Sequence, residues 1–145
     1  GTLVTETMLV KDLNDGDENL IAVAEFLGKL SPSGSYLSIP IRPPAEPWVM
    51  PPKKDVITKA YHTIAEHTPV VEYLIGYEGN AFSSTGKPDK DLLNITAVHP
   101  MREDAVENLL EKTGAGWDVV DRLIEDGALL KTEYDTRTFY IRSWT

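Results

Sequence analysis

Two apolar runs that end in polar loops, with an amphipathic stretch between them, leave few folds open to this chain. The first run leads into Leu9-Val-Lys-Asp-Leu-Asn-Asp15, and the second is Tyr36-Leu-Ser-Ile-Pro-Ile-Arg-Pro-Pro-Ala-Glu46. Between them Leu20, Val23, Ala24, Leu27 and Leu30 recur at helical spacing. Strand, loop, helix and strand in this order form one β/α repeat of a parallel sheet, and such sheets carry ligands at the carboxyl ends of their strands. The chain enters this architecture without a preceding repeat, so we expect it to be the later part of a larger protein.

The first strand is expected over residues 3–10. Its alternate positions Leu3, Thr5, Thr7, Leu9 and Val4, Glu6, Met8, Val10 are apolar on both sides, the pattern of a parallel strand covered on two faces. Asn14, Asp15 and Asp17 supply turn and helix-start chemistry. Pro40 and Pro43-Pro44 prevent a helix from following the second strand directly. A second helix begins after Pro51-Pro52 with Val56, Ile57, Ala60, Tyr61 and Ile64 on one stripe, and His67-Thr68-Pro69 ends it. Residues 70–75 return as a third strand. The order β-α-β-α-β calls for right-handed crossovers and a parallel sheet with unsatisfied edges.

The character changes after Gly76. Residues 77–90 hold glycines, serines and Pro88 and read as a loop or linker. Residues 91–98 fit a short helix. Pro100 is expected to open another, with Ala105, Val106, Leu109 and Leu110 inward and Gly114 as its stop. A third begins near Gly116, with Trp117, Val120, Leu123 and Ile124 inward and Gly127 as its stop. Residues 129–134 and 138–143 alternate and join through Asp135-Thr136, a hairpin. Three short helices and a hairpin are the order of a winged helix-turn-helix. The expected organisation is therefore α/β: a partial parallel β/α barrel over 1–76, a linker over 77–90 and a winged helix over 91–145.

Charge then bears on partners. The chain has a formal net charge of −9, which opposes nonspecific association with phosphate-rich surfaces. From Ala97 onward six Lys and Arg face ten Asp and Glu. The solvent stripe of the third winged-helix helix is Asp118, Asp121, Arg122 and Glu125, and three carboxylates would be repelled by a DNA groove. Nucleic acid is therefore not the expected partner. No run approaches the roughly 18 apolar residues of a membrane helix, and no basic region precedes an apolar core at the N-terminus. The expectation is a soluble cytoplasmic protein with no membrane partner. With no cysteine in the sequence, no disulfide or thiolate-held metal cluster can form in this chain.

Leu3-Val-Thr-Glu-Thr-Met-Leu-Val-Lys-Asp-Leu-Asn-Asp15, the helix from Leu20 to Leu30, and the segment Tyr36 to Glu46 resemble the later half of the barrel in radical SAM enzymes. The similarity is to the pyruvate formate-lyase activating and molybdenum cofactor biosynthesis types. Asn14-Asp15 matches a short polar strand-end loop of that family, and residues 70–75 with Tyr77-Glu78-Gly79-Asn80 match the strand after the Pro-rich run. Ile95-Thr-Ala-Val-His-Pro-Met-Arg-Glu-Asp104 and the winged helix resemble the C-terminal extension of an archaeal-type Fe-S oxidoreductase group. The resemblance implies a parent that holds a [4Fe-4S] cluster on three cysteines and cleaves S-adenosylmethionine to a 5′-deoxyadenosyl radical. The cysteines are absent here, so the cluster would belong to a missing N-terminal barrel half, and this chain alone would hold no cofactor and be inactive. By position, the residues lining the S-adenosylmethionine or substrate pocket would be Lys11, Asn14, Asp15, Arg42 and Glu46.

Each candidate has a plainer reading. Asn14 and Asp15 can serve as a turn and helix cap. Arg42 and Glu46 can pair on the surface, while a guanidinium at a strand end can instead hold a carboxylate or phosphate. Glu6 faces either a barrel lumen or solvent. His62 and His67 are wrongly spaced for one helix face, and His99 before Pro100 can cap a helix, so a metal site is not expected. Trp48 and Trp144 are read as packing residues. Two other readings stand beside the radical SAM fragment: a winged-helix regulator that binds DNA or senses a ligand, and a structural module that dimerises. The open sheet edges predict that the isolated chain self-associates. Its substrate, small molecule or macromolecule, is not identified by any motif.

Overall fold

The computed structural model describes residues 1–75 and 82–143. The chain forms two compact units, Gly1–Tyr77 and Glu78–Thr145. Tyr77-Glu78-Gly79-Asn80 and Trp144 lie outside the described residues.

The first unit is α/β. Strand β1 (Val4–Met8), helix α1 (Asp17–Leu30), β2 (Gly34–Ser38), α2 (Lys54–Ala65) and β3 (Val71–Leu74) alternate along the chain. The strands form one parallel sheet in the order β1-β2-β3. The register sets Val4 beside Gly34, Glu6 beside Tyr36 and Met8 beside Ser38; on the other side Tyr36 lies beside Glu72 and Ser38 beside Leu74. Helix α1 begins after Gly16, with Asp17 and Glu18 in its first turn, where the exposed amide dipoles favour carboxylates. Pro51 and Pro52 precede α2 and do not enter it.

The core of this unit lies on one face of the sheet. Leu9, Leu37 and Val71 from the strand side pack with Leu20, Ala24 and Leu27 of α1 and with Ala60 and Ile64 of α2. Both helical stripes read from the sequence thus reach the same face. Tyr61 stacks on Tyr73 with ring centres 4.8 Å apart, and the Thr5 hydroxyl donates to Ser35 Oγ at 3.1 Å, both on this side. No helix covers the opposite face among the described residues, and its outer positions are open. Val4 is 52% exposed, Met8 49% and Leu74 47%. This corrects the expectation of a strand covered on both sides: both crossovers pass over the same face, and no other described element packs on the second.

The second unit is a winged helix. Helix α3 (Pro88–Thr96), strand β4 (Met101–Arg102), α4 (Glu103–Thr113), α5 (Asp118–Glu125), β5 (Leu129–Tyr134) and β6 (Arg137–Arg142) follow in order. The sheet is antiparallel, ordered β4-β6-β5. Its core includes Leu92, Met101, Ala105, Val106, Val120, Leu129 and Phe139, none more than 1% exposed. Gly114 caps α4 at φ 67°, as its position in the sequence predicts. Asp135 and Thr136 turn the hairpin with φ of 46° and 64°, the left-handed pair that a two-residue loop between twisted strands requires.

Three local expectations are corrected. Pro100 does not open a helix: Met101 and Arg102 first pair with Tyr140 and Phe139 as β4, and α4 starts at Glu103, with Arg102 and not His99 at its N-cap. Trp117 is not inward but 36% exposed at the start of α5, and Val119 takes the buried place. Trp48 is not a packing residue either, being 57% exposed. In the stretch expected to be linker, residues 82–87 are tied to the unit. Ser84 Oγ, Thr85 N–H and Thr85 Oγ1 all donate to the Asp91 carboxylate, at 2.7 to 2.8 Å.

Candidate functional site

The carboxyl edge of the parallel sheet gathers the polar loops that follow β1 and β2. Leu9 N–H donates to Ser38 O at 2.8 Å, extending the ladder beyond the strand ends, and Lys11 N–H donates to Met50 O at 2.9 Å. The loop of Lys11 and the end of the Pro-rich segment are thereby joined.

Within that edge the five residues singled out from the sequence do different things. Asn14 closes its own loop: Oδ1 accepts from Val10 N–H at 2.8 Å and Nδ2 donates to Met8 O at 2.9 Å. Asp15 Oδ1 accepts from Asp12 N–H at 2.9 Å, which supports Asp12 at a positive φ of 59°. These two side chains are engaged by backbone, and the turn reading accounts for them. They do not cap α1, whose N-cap is Gly16 with no side-chain hydrogen bond. Lys11 extends into solvent, its ammonium 3.8 Å from Asp12 Oδ2. Arg42 is half-buried and Glu46 exposed, and Val49 N–H donates to Glu46 O at 3.1 Å in a turn that presents Trp48. Among the side chains exposed at this edge are the cationic Lys11 and the aromatic Trp48.

Sequence reasoning missed a second feature, on the helix-free face just below this edge. Ser38 is 5% exposed, and its hydroxyl has no hydrogen-bond partner. Buried hydroxyls are nearly always paired. Strand alternation sets it on the same face as Tyr36, with Met8 and Leu74 beside it. Period-two alternation alone would have placed these residues together; the strand register, which the sequence does not state, was the missing piece.

In the winged helix, Asp118, Asp121, Arg122 and Glu125 are exposed on α5, as read from the sequence. An open cleft of about 430 Å³ lies between the start of α4 and the hairpin tip, lined by Arg102, Glu103, Asp104, Thr136, Arg137 and Thr138. Its charges largely cancel. Arg102 forks onto Asp104, and Glu103 accepts from Tyr140 OH at 3.1 Å and faces Lys131 at 3.6 Å. Burial, with Glu103 beside it, pushes the Tyr140 phenol up to about 12. Among the described residues no group of three His, Asp or Glu converges as a metal site, and no helix is long and apolar enough to cross a membrane.

Over 145 residues the chain is 39% identical to UPF0026 protein MJ1312 of Methanocaldococcus jannaschii. The match takes in 99% of this chain and 45% of that protein, so the chain spans less than half the length of the curated relative it resembles. No protein-family model matches the chain, and no solved structure matches it.

Proposed function

We propose that this chain forms the late β/α units and an accessory winged helix of a larger radical SAM oxidoreductase, and that it is inactive alone. The observation that carries the reading is the one-sided sheet. Both helices cover one face and the strand-end loops share one edge, as in a segment of barrel wall whose other face looks inward. A relative more than twice as long leaves room for the rest of the wall. The [4Fe-4S] group itself does not fit here, because the chain has no cysteine to ligate it. It would be held elsewhere in the parent, and the residues of this chain would shape the pocket. The edges of β1 and β3, unpaired among the described residues, are where the remaining wall would join; in the isolated chain they favour self-association.

Expression of the complete reading frame tests the proposal. The full-length protein is expected to be brown, to carry iron and sulfide, and to cleave S-adenosylmethionine under reducing conditions. The 145-residue chain is expected to be colourless and inert. A full-length protein with no cysteine triad and no iron would end this reading.

The winged-helix fold favours a second reading, a DNA-binding regulator, and the charge of α5 opposes it. A gel-shift titration with random duplex DNA at physiological salt is expected to show no micromolar binding. Tight binding that weakens steeply with salt would promote the regulator.

A further inference from the structure

The two lateral flanks of the helix layer differ in chemistry. Lys59 of α2 pairs with Asp17 of α1 at 2.6 Å, and a Cβ added to Gly28 would meet His67, just past α2, at 3.3 Å. Asp17 and Gly28 therefore mark the flank of α1 that faces α2, on the β3 side of the sheet. At about 100° per residue Phe26 lies roughly 180° from Asp17, so it faces the other way, out beyond the edge strand β1. Phe26 is 63% exposed there, and Leu30, one turn on, is exposed as well. Asn19 and Ala22 continue the stripe, which holds no charge. Strand alternation sets the exposed Leu3 on the helix side of β1, at the end where α1 finishes. The far flank of α2 is built differently. Lys54 and Thr58 are exposed on it, and Tyr61 folds onto Tyr73 of β3. One flank suits solvent and the other suits contact.

We propose that the β1 edge and the Phe26–Leu30 flank form one docking surface, whose occupant is a further β/α unit of the longer protein. The strand of that unit pairs with the free backbone groups of β1. Its helix lays an apolar stripe on Ala22, Phe26 and Leu30, as α2 lies against the other flank of α1. Two observations choose this occupant. The surface offers both halves that such a unit needs, an unpaired strand edge and an uncharged helix flank on the same side. The relative that matches this chain is more than twice as long as the matched span, which leaves chain to supply the unit. A second copy fits less well, because twofold pairing centred on β1 would bring two Glu6 carboxylates together on one face. The proposal rests on the reading above in one respect, that this chain is one segment of a longer α/β wall. It gives a helix-bearing neighbour to the β1 edge and not to that of β3.

Phe26→Glu in the full-length protein is the test, with Thr58→Glu on the far flank of α2 as control. In the isolated 145-residue chain, kept dilute enough to stay monomeric, both substitutions fall at exposed positions. Each is expected to leave Tm within about 2 °C of wild type. In the full-length protein Phe26→Glu is expected to lower Tm by about 5 °C or more with the molar mass unchanged, because its carboxylate is trapped under the docked helix. Thr58→Glu should be silent there too. If Phe26→Glu yields no folded full-length protein, Phe26→Ala is expected to fold with Tm lowered by about 2–4 °C. Hydrogen exchange reads the strand half: amides of residues 4–8 that point away from β2 should exchange about 100-fold more slowly in the full-length protein than in the isolated chain. A full-length protein that tolerates Phe26→Glu as well as Thr58→Glu, or edge amides that exchange alike in both proteins, would overturn the proposal. So would an isolated chain that unfolds on Phe26→Glu, since Phe26 would then belong to the core of its own unit. A full-length dimer that Phe26→Glu turns into monomer would give the surface to a second copy instead. None of these readouts uses iron or S-adenosylmethionine, so a full-length protein without a cluster ends the radical SAM reading and leaves the docking surface standing.

Discussion

Leu37→Ala is expected to unfold the parallel-sheet unit while the winged helix stays folded. Leu37 sits in the central strand, 1% exposed, where the stripes of α1 and α2 meet the sheet. Truncating a buried leucine removes its transfer free energy and leaves a cavity, at a cost of about 2–5 kcal/mol. A unit of this size has a total stability of about 4–12 kcal/mol, at roughly 0.05–0.15 kcal/mol per residue. With one sheet face free of helices, the unit buries less apolar surface than a closed domain, which puts it near the lower end. All eight residues of its buried cluster belong to Gly1–Tyr77, so the loss should stay within that unit. Thermal melts followed by amide NMR check this: resonances of 1–75 should collapse well below those of 82–143. A cost under about 1 kcal/mol would mean that the helices do not close the core as described.

Much of this architecture was legible because short-range physics decides it. The i, i+4 and i+7 recurrence of Leu20, Ala24 and Leu27 fixes which side of α1 is buried. The Asp135-Thr136 hairpin follows from two alternating runs that meet at residues tolerant of positive φ. What was not legible depends on long-range pairing. β4 is only Met101–Arg102, too short for alternation to register, and it exists because Tyr140 and Phe139 offer it an edge. Trp117 reads as inward by size, yet it lies before the first turn of α5, where its ring packs on Tyr140 at 6.0 Å and the smaller Val119 enters the core. The one-sidedness of the sheet was hidden for a related reason. Val4 and Met8 are as apolar as residues that face a covering layer, and sequence cannot say whether that layer lies in the same chain. For the candidate site, the sequence located the edge and its loops. It could not separate Asn14, engaged by its own loop, from Ser38, buried with nothing to bond.

Asp91→Ala is expected to release residues 82–87 from the winged helix and to remove a pH-dependent part of its stability. The side chain is 4% exposed and accepts from Ser84 Oγ, Thr85 N–H and Thr85 Oγ1. It is the point that fastens the segment leading into α3, with a second tie from Lys112 Nζ to Phe82 O at 3.2 Å. The Thr85 hydroxyl, ahead of the opposing effect of burial, draws the Asp91 carboxyl below its ordinary value of 3.8, and Ser84 and the Thr85 amide act in the same direction. A carboxylate whose folded pKa is depressed contributes stability that is fully present above its unfolded value and lost as pH falls through the folded one. The difference between wild type and Asp91→Ala should therefore be constant from neutral pH down to about pH 5 and shrink below pH 3.8 or so, as the wild-type carboxylate takes up its proton. Asp91→Asn keeps acceptor oxygen but no charge, and should fall between the two at neutral pH. Urea unfolding of the three proteins across this range is the measurement. A wild-type advantage that holds undiminished to pH 2 would show that the segment is fastened by packing around Asp91 and not by its charge.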